Sequence, residues 1–154
     1  MTKTALAMAL TMSLSGGGAA LAQSSPSKLV LITEQEAKLP AATATDLTFR
    51  AGITRGPRVL LVSPASDASV QAPVRLHLKF ESYGGAKIDP ASVKVTYLKN
   101  PSVDLTDRLK TATQAGGIDV GAADVPPGVH NIRVDLKDSD GRAGTANFTL
   151  KVAQ

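Results

Sequence analysis

Apolar and polar residues alternate with a period of two from Arg58 to the end of the chain. Between residues 74 and 80 the even positions are apolar, and the odd positions are Arg75, His77 and Lys79. A period of two is typical of a β-strand with one buried face and one face in water. This run and similar ones predict strands at 74–80, 93–97, 118–122, 130–137 and 146–152. The apolar run 59–62 and a short piece at 103–105 are added to these strands.

Turn residues separate these predicted strands. Asp138-Ser139-Asp140-Gly141 lies between the last two runs, and a glycine at the end of such a loop supplies the positive φ that a hairpin needs. Gly84-Gly85 follows the run at 74–80, and Pro126-Pro127-Gly128 precedes the run at 130–137. Short strands with turns between them predict an all-β immunoglobulin-like β-sandwich of about seven strands over residues 58–154.

The stretch from 23 to 57 differs from the predicted sandwich, since it is rich in Ala, Thr, Ser and Pro. Within it, residues 28–33 are typical of a strand. Thr33-Glu34-Gln35-Glu36 has the capping-box pattern that begins a short helix, which Pro40 would end. We interpret the remainder as a linker whose boundary with the sandwich lies near Gly56-Pro57. The sequence leaves open whether residues 23–57 pack on the sandwich.

The segment 1–22 has the features of a cleavable secretory signal peptide. Lys3 supplies a positive charge, and residues 5–14 form an apolar run that is too short to span a bilayer. Glycines follow, and Ala20-Leu21-Ala22 then places small residues where signal peptidase requires them. The competing interpretation, a buried helix of a cytosolic domain, has to accommodate consecutive glycines and this cleavage box. We therefore predict cleavage after Ala22 and a periplasmic or secreted protein.

Composition narrows the class of protein further. The chain has no cysteine, so we expect no cysteine-linked lipid anchor, no disulfide, no thiol catalysis and no cysteine-based zinc site. No later run approaches the roughly 18 apolar residues of a membrane helix. Of the 17 basic residues Lys3 lies in the signal, which leaves 16 against 13 acidic residues. This low net charge and the absence of Trp argue against nucleic acid as a partner and against a sugar-stacking platform.

Several motifs, in order along the chain, resemble a known class of domain. They are Val62-Ser63-Pro64 and the stretches 88–95, 103–106, 127–134 and 137–142. Over roughly residues 58–152 the chain resembles the bacterial immunoglobulin-like and fibronectin-III-like domains of exported proteins. With residues 31–33 and 54–57 included, it is similar to a group of uncharacterised proteobacterial periplasmic proteins. The resemblance implies a fold and no activity. In many such domains a tyrosine after the proline-glycine turn forms a corner hydrogen bond, and His130 stands in its place here.

The strand pattern gives the two histidines different environments. His130 is in phase with Ile132 and Val134, so we expect a buried, hydrogen-bonded structural histidine. His77 is out of phase with the core residues of its strand and should be exposed. Two histidines without cysteine or a carboxylate at ligand spacing do not indicate a metal site. No serine lies in a G-x-S-x-G motif. We therefore predict that the protein is not an enzyme and has no cofactor.

Aspartates occur in turns where calcium binding is an alternative to ordinary turn chemistry. Counted from Asp138, an EF-hand would need an oxygen ligand where Arg142 stands and a glutamate where Thr149 stands, which excludes that motif. A looser calcium site is left open, with further ligands from Asp89, Asp104 or Asp107. The simpler interpretation is that these carboxylates accept backbone amides in turns. In the segment 104–108 we expect a turn or one helical turn, with Arg108 available to pair with a carboxylate.

Basic residues provide a candidate binding surface. The candidates are Arg50, Arg55, Arg58, Arg75, Lys79, Lys94 and Arg133, and Lys151 belongs to the same outward set on the last strand. Such a set would suit an anionic partner, either an envelope polymer or an acidic protein surface. The alternative is that these charges solvate the sheet faces and discourage pairing between sheet edges.

Two classes of function follow from these patterns. The first is a non-catalytic interaction or accessory module, which presents loops or a sheet edge to another envelope component. The second is a copper-carrier-like periplasmic protein, since Ser63-Pro64 and residues 72–80 resemble the start of small periplasmic copper-binding sandwiches. That family offers an N-terminal histidine and further His or Met ligands. The processed chain would begin at Gln23, and its histidines are His77 and His130.

Overall fold

The structure, a computed structural model, describes residues 28–42, 55–66 and 68–154. The predicted signal peptide, Arg50 and the middle of the predicted linker lie outside these ranges. Within them, no helix has the length and apolar character needed to cross a membrane.

Short strands dominate the described chain, as the sequence predicts. The strands are β1 (Leu29–Val30), β2 (Arg58–Ser63), β3 (Ser69–Val70), β4 (Val74–Glu81), β5 (Lys94–Tyr97), β6 (Val103–Asp104), β7 (Thr113–Gln114), β8 (Gly117–Asp124), β9 (Gly128–Lys137) and β10 (Ala143–Val152). Two short helices, α1 (Glu34–Ala37) and α2 (Thr106–Leu109), and two 3₁₀ turns, Pro90–Ser92 and Lys110–Ala112, lie between them. Strands β2, β4, β5, β8, β9 and β10 correspond to the predicted longer runs, and β6 corresponds to the predicted piece at 103–105.

The strands form two sheets that enclose one core. In the first sheet the order is β1-β8-β4-β2, with β7 also beside β8, and in the second it is β3-β10-β9-β5-β6. The longer strands pair antiparallel within each sheet, whereas β1 and β3 are short parallel additions to β8 and β10. The predicted all-β sandwich is confirmed.

The core takes one face of each long strand. On β4 the buried residues are Val74, Leu76, Leu78 and Phe80, and on β9 they are His130, Ile132, Val134 and Leu136. The apolar members belong to a single cluster that spans both sheets. Burial of a Val, Leu, Ile or Phe side chain contributes about 1.5–3 kcal/mol. The alternation in the sequence therefore identifies the core faces of both strands.

Strand β8 departs from the predicted alternation near its end. The sequence pattern places Ala122 on the buried face, but in the structure Ala123 is buried and Ala122 is half-buried. The cause is a β-bulge, because Val120 pairs with Leu76 while Ala123 pairs with Val74. An extra residue of β8 therefore stands opposite β4, which moves the following side chains to the other face.

Residues 28–42 are part of the same core. Strand β1 pairs with the end of β8, and Leu31 and Ile32, which follow β1, are buried in the main cluster. This stretch belongs to the segment whose docking the sequence leaves open. The predicted boundary near Gly56-Pro57 thus divides residues that share one core.

Helix α1 begins with the predicted capping box. The Thr33 hydroxyl accepts a hydrogen bond from the Glu36 amide at 3.3 Å, and the Glu36 carboxylate accepts one from the Thr33 amide at 2.9 Å. The two bonds satisfy amides at the start of the helix that have no partner within it. The helix ends before Pro40, as the sequence predicts.

The Glu36 carboxylate also joins α1 to α2. Arg108 on α2 donates to both Glu36 oxygens, at 2.7 and 2.8 Å, and to the Leu31 carbonyl oxygen at 2.8 Å. These hydrogen bonds from Arg108 lower the pKa of Glu36 from 4.5 to about 2. The predicted helical turn is confirmed, since the Thr106 amide donates to the Asp104 carboxylate at 2.8 Å. The carboxylate partner expected for Arg108 is Glu36.

Replacing Leu31 by Ala should lower the free energy of unfolding by about 2–5 kcal/mol, because the change removes a fully buried side chain and leaves a cavity. The neighbouring Val30 is 50% exposed, so Val30→Ala is the matched control and should change the free energy by less than about 1 kcal/mol. Denaturant titration measures both. Equal effects would contradict the packing of residues 28–42 into the core.

Acidification should weaken the bond between Glu36 and Arg108. The pKa of Glu36 is lower in the folded protein than its ordinary value of 4.5, so its contribution to stability is present above pH 4.5 and is lost as the pH falls toward 2. We expect Glu36→Gln to lower the free energy of unfolding by about 2 kcal/mol at neutral pH.

The same substitution should flatten the decline in stability between pH 5 and pH 2, as measured by denaturant titrations across this range. Glu34→Gln is the control, because Glu34 lies on the same helix but is exposed. Parallel pH profiles for Glu36→Gln and the unaltered protein would argue against this ion pair.

Candidate functional site

A histidine lies on the buried face of β9, close to the start of the strand. His130 is 2% exposed, and its ring nitrogens lie 2.8 Å from the Tyr97 hydroxyl and 2.8 Å from the Pro126 carbonyl oxygen. Because a carbonyl can only accept, Nε2 carries the proton and donates to Pro126, and Nδ1 accepts from the Tyr97 hydroxyl. The bond from Nε2 reaches a carbonyl four residues upstream, at the turn where the resemblance implies a corner hydrogen bond. The predicted structural role of His130 is confirmed.

The surroundings keep His130 and Tyr97 uncharged near neutral pH. Burial lowers the pKa of His130, the hydrogen bond to Pro126 opposes that effect, and the charge of Lys99 lowers the pKa further. Burial also raises the pKa of Tyr97 to about 12. The Lys99 ammonium lies 5.5 Å from the centre of the Tyr97 ring and donates to two carbonyls of the N-terminal segment at 2.9 Å. Each of these polar groups therefore has a partner inside the fold.

His77 lies on the outer face of β4, out of phase with the core as predicted, but it is half-buried rather than exposed. Strands on both sides cover it, with Ser63 on β2 and Asp119 on β8 as its cross-strand neighbours. His130 faces the core from the other sheet, so the two histidines do not share a site. The described ranges contain no group of three or more His, Asp or Glu side chains that could hold a metal ion. The copper-carrier hypothesis has no support from this part of the chain.

Asp138, in the turn between β9 and β10, is a buried carboxylate with its own partners. It accepts hydrogen bonds from the Asp140 amide at 3.1 Å, the Arg142 amide at 2.9 Å and Arg142 Nε at 2.8 Å. Burial alone would raise the pKa of Asp138, but the hydrogen bonds from Arg142 and Asp140 lower it. Gly141, with φ of +76°, lies in this predicted hairpin turn. Both carboxylate oxygens of Asp138 thus accept hydrogen bonds from nitrogen donors of the turn, which favours a structural role in the turn.

Two other aspartates of the calcium hypothesis also serve turns. The Asp89 carboxylate accepts from the Ala91 amide at 2.9 Å, at the start of a 3₁₀ turn. The Asp104 carboxylate accepts from the Thr106 amide at the start of α2, and its pKa is lowered by the hydrogen bonds from Thr106. These contacts favour the interpretation that the aspartates fix loops.

The predicted basic surface is divided between the two sheets. On the outer face of the first sheet lie Arg58, Arg75 and Lys79. On the outer face of the second sheet lie Lys94, Arg133 and Lys151. Arg55 is exposed just before β2, and Arg50 lies outside the described residues. The candidates therefore do not converge on one site.

Four of the candidates pair with a carboxylate on their own sheet. The nitrogen–oxygen distances are 3.3 Å for Arg75–Asp119, 3.1 Å for Lys79–Glu81, 2.9 Å for Arg133–Asp135 and 4.0 Å for Lys94–Asp104. All four pairs are accessible to solvent, where an ion pair contributes about 0–1 kcal/mol. Because much of the predicted positive charge is balanced locally, the geometry favours a solvating role for Arg75, Lys94 and Arg133. Lys79 differs in that it lies opposite the exposed Leu60.

A mixed apolar and basic surface lies on the outer side of β2 and β4. Leu60 is 41% exposed and Val62 is 51% exposed, and Lys79 is the cross-strand neighbour of Leu60. The Arg58 guanidinium lies 5.1 Å from the centre of the exposed Tyr83 ring, a distance at which a cation attracts an aromatic face. We call these residues, Arg58, Leu60, Val62, Lys79 and Tyr83, the β2–β4 face.

Sequence reasoning missed the apolar half of this face. The run 59–62 is apolar at every position, so alternation alone does not distinguish the inward side chains from the outward ones. In the structure Val59 and Leu61 pack against the core, and Leu60 and Val62 point away from it. The signal in the sequence is the unbroken apolar run itself, because a strand with one face in water would alternate. The position of β2 at a sheet edge is known only from the structure.

Replacing His130 by Phe should lower the free energy of unfolding by about 2–4 kcal/mol, because the Tyr97 hydroxyl and the Pro126 carbonyl lose a buried partner. The pKa of His130 in the folded protein is below its ordinary value of 6.5. Stability from the neutral imidazole is therefore complete above pH 6.5 and is lost as the pH falls below that value. The Phe variant should lack this part of the pH dependence.

The control for this experiment is His77→Phe, which changes a histidine on the outer face and should keep the acid-dependent loss. Denaturant titrations between pH 8 and pH 5 compare the variants. If His130→Phe and the unaltered protein lose stability in parallel on acidification, His130 is not the neutral corner residue described above.

Comparison with known proteins assigns no family to the chain. The resemblance to immunoglobulin-like periplasmic proteins therefore stays a prediction, and function has to be inferred from the surfaces of the fold. A scan against protein-family models and searches of the curated proteins and of the solved structures found no match.

Proposed function

We propose that the protein is an exported, non-catalytic interaction module that binds an acidic surface of another envelope component through the β2–β4 face. The observation that carries this proposal is the exposure of Leu60 and Val62 beside Arg58, Lys79 and Tyr83. Exposed apolar side chains gain free energy when a partner covers them. Tyr and Arg are enriched among the residues that dominate the binding energy of protein interfaces.

The β2–β4 face belongs to an edge strand whose start is held in place. Among the described residues, β2 has a strand partner on one side, which is β4. Before the strand begins, the Pro57 carbonyl packs so closely on Gly144 of β10 that a side chain at position 144 would collide with it. A preformed surface loses less conformational entropy when it binds, so this arrangement suits a docking site.

The charges of the face favour an acidic partner. Lys79 pairs with Glu81 in an exposed ion pair, which a carboxylate of a partner can replace at little cost. Arg58 lies over the Tyr83 ring. Its cross-strand neighbour Glu81 pairs with Lys79, and Arg58 forms no ion pair with a carboxylate of the described chain within 4 Å. Complementary charge raises the rate of association and is screened by salt. The proposed complex should therefore be sensitive to ionic strength.

The titratable groups support a role without catalysis. Among the residues that the structure describes, those whose pKa departs from its ordinary value lie in structural contacts. These contacts are Glu36 with Arg108, Asp104 with Thr106, Asp138 with Arg142, and His130 with Tyr97. Active sites place such groups in a cleft where a substrate can reach them. In this fold each of them already has an internal partner.

A photocrosslinking residue in place of Leu60 tests the proposal in cells that export the protein. We expect a discrete adduct with an acidic envelope component, and we expect its yield to fall at least fivefold when Arg58 and Lys79 are both replaced by Glu. The matched control carries the crosslinker at Val129, which is 60% exposed on the other sheet. Equal adducts at positions 60 and 129, or no effect of charge reversal, would remove the support for the β2–β4 face.

Binding to the isolated component separates a protein partner from an anionic polymer. With a protein partner, Leu60→Ser together with Val62→Ser should weaken the complex at least tenfold while its dependence on salt remains. Binding that depends on salt but not on these apolar residues would indicate an anionic polymer and would contradict the proposed docking mode.

A further inference from the structure

The loop that follows β4 carries the aromatic member of the β2–β4 face, which is Tyr83. After it, Gly84 and Gly85 have φ of +70° and +80°, and positive φ at both central residues is typical of a type I′ turn. The Ala86 amide closes the turn with a bond to the Tyr83 carbonyl oxygen at 3.4 Å, which is longer than the usual range. Because glycine leaves the backbone conformationally free, this turn alone holds Tyr83 weakly.

Arg142, in the turn between β9 and β10, makes a shorter bond to the same carbonyl. Its Nη2 donates to the Tyr83 carbonyl oxygen at 2.9 Å. A hydrogen bond from a charged donor is about twice as strong as one between neutral groups. Among the described residues, the donors that reach this oxygen are the Ala86 amide and Arg142. Arg142 is therefore the stronger restraint on the Tyr83 backbone.

The guanidinium of Arg142 is itself held by a buried carboxylate. Arg142 Nε donates to Asp138 at 2.8 Å, and the Asp138 side chain is fully buried. The Arg142 amide donates to the same carboxylate at 2.9 Å, so the side chain and the backbone of Arg142 share one anchor. Nε and Nη2 belong to one rigid plane. The bond to Asp138 therefore also fixes the direction of the bond to Tyr83.

The position of the Tyr83 backbone affects binding because its side chain is part of the β2–β4 face. The residue is 36% exposed, and its ring centre lies 5.1 Å from the Arg58 guanidinium. Tyrosine is a large side chain with few rotatable bonds, so the backbone position strongly limits where the ring lies. A contact residue that is fixed before binding loses less conformational entropy in the complex.

We propose that Arg142 is a positioning residue for the β2–β4 face and raises its affinity for an acidic partner by holding Tyr83 beside Arg58. This inference rests on the proposed function, since it concerns the affinity of that same face. Arg142 lies in the hairpin turn of the second sheet and acts through the Tyr83 carbonyl. A residue outside the face thus controls how strongly the face binds.

The position of the Tyr83 ring can be measured without a partner. In the processed chain, labelled with ¹³C at arginine, the ring displaces the side-chain proton signals of Arg58, and Tyr83→Ala gives the reference signals without the ring. We expect Arg142→Lys to move the Arg58 signals at least half of the way to this reference. The reason is that the single ammonium of lysine lacks the planar pair of donors.

Asp140→Asn is the matched control for Arg142→Lys. Asp140 is an exposed partner of Arg142 at 2.8 Å, and its replacement removes this ion pair while the bonds to Asp138 and Tyr83 remain. The Arg58 signals should therefore stay unchanged in this variant.

Crosslinking in exporting cells, with the photocrosslinking residue at position 60, measures the effect on binding. We expect Arg142→Lys to lower the yield of the adduct at least threefold and Asp140→Asn to leave it unchanged. In a chain that already carries Tyr83→Ala, adding Arg142→Lys should cause no further loss, because Arg142 acts through Tyr83. A general structural role of Arg142 would lower the yield in both backgrounds.

A second variant covers the case in which Arg142→Lys does not fold. Asp138→Asn keeps Arg142 in place but removes the negative charge that orients its guanidinium, and it leaves no buried carboxylate without a partner. This variant should move the Arg58 signals and lower the adduct yield in the same direction.

Three results would overturn this inference alone. The first is a set of Arg58 signals that neither Arg142→Lys nor Asp138→Asn changes. The second is a normal adduct from the unaltered chain whose yield neither variant lowers. The third is a further loss of adduct when Arg142→Lys is added to Tyr83→Ala. The absence of any adduct from the unaltered chain would instead contradict the proposed function itself.

Discussion

The guanidinium of Arg108 holds two distant parts of the chain together, and the docking of residues 31–37 on the sandwich depends on it. Its hydrogen bonds to Glu36 and to the Leu31 carbonyl fix α1 and the residues after β1 against α2. Leu31 and Ile32 then fill the core. A bidentate arginine–carboxylate pair is directional as well as attractive, so it helps to set the position of β1 on the edge of β8. The ion pair between Arg108 and Glu36 thus affects both the packing of Leu31 and Ile32 in the core and the position of β1 on the edge of β8.

The two sheets differ in their outward-facing residues and in the pairing of their strands. The second sheet is completed by the long β9–β10 hairpin, and its outward basic residues Lys94 and Arg133 have carboxylate partners. The first sheet carries exposed apolar side chains on β2 at one edge and an interrupted pairing on β8 at the other. Edge strands that are neither covered nor charged invite pairing with other chains. The proposed docking face therefore belongs to the sheet whose edges are less complete.

Sequence patterns predict the fold well because strands with one buried face repeat every two residues. The buried faces of β4 and β9, the capping box at Thr33 and the burial of His130 all follow from local patterns. The place of Ala123 does not, because a bulge depends on pairing with another strand. Local patterns also do not predict how the basic residues are divided between the two sheets, or that Leu60 is exposed. Alternation states which side of its own strand a residue occupies, but not which sheet or edge that strand joins.

The parallel pairing of β1 with β8 has a consequence for the order of events in folding. Leu29 is paired with Ala123, more than ninety positions later in the chain, and contacts of long sequence separation form slowly because the intervening chain must first be brought together. The N-terminal part of the core can be completed only after β8 has left the ribosome. A protein that crosses a membrane unfolded, as the proposed export requires, is helped by such a delay. Strand β1, the first strand of the chain, is thus expected to be among the last to pair.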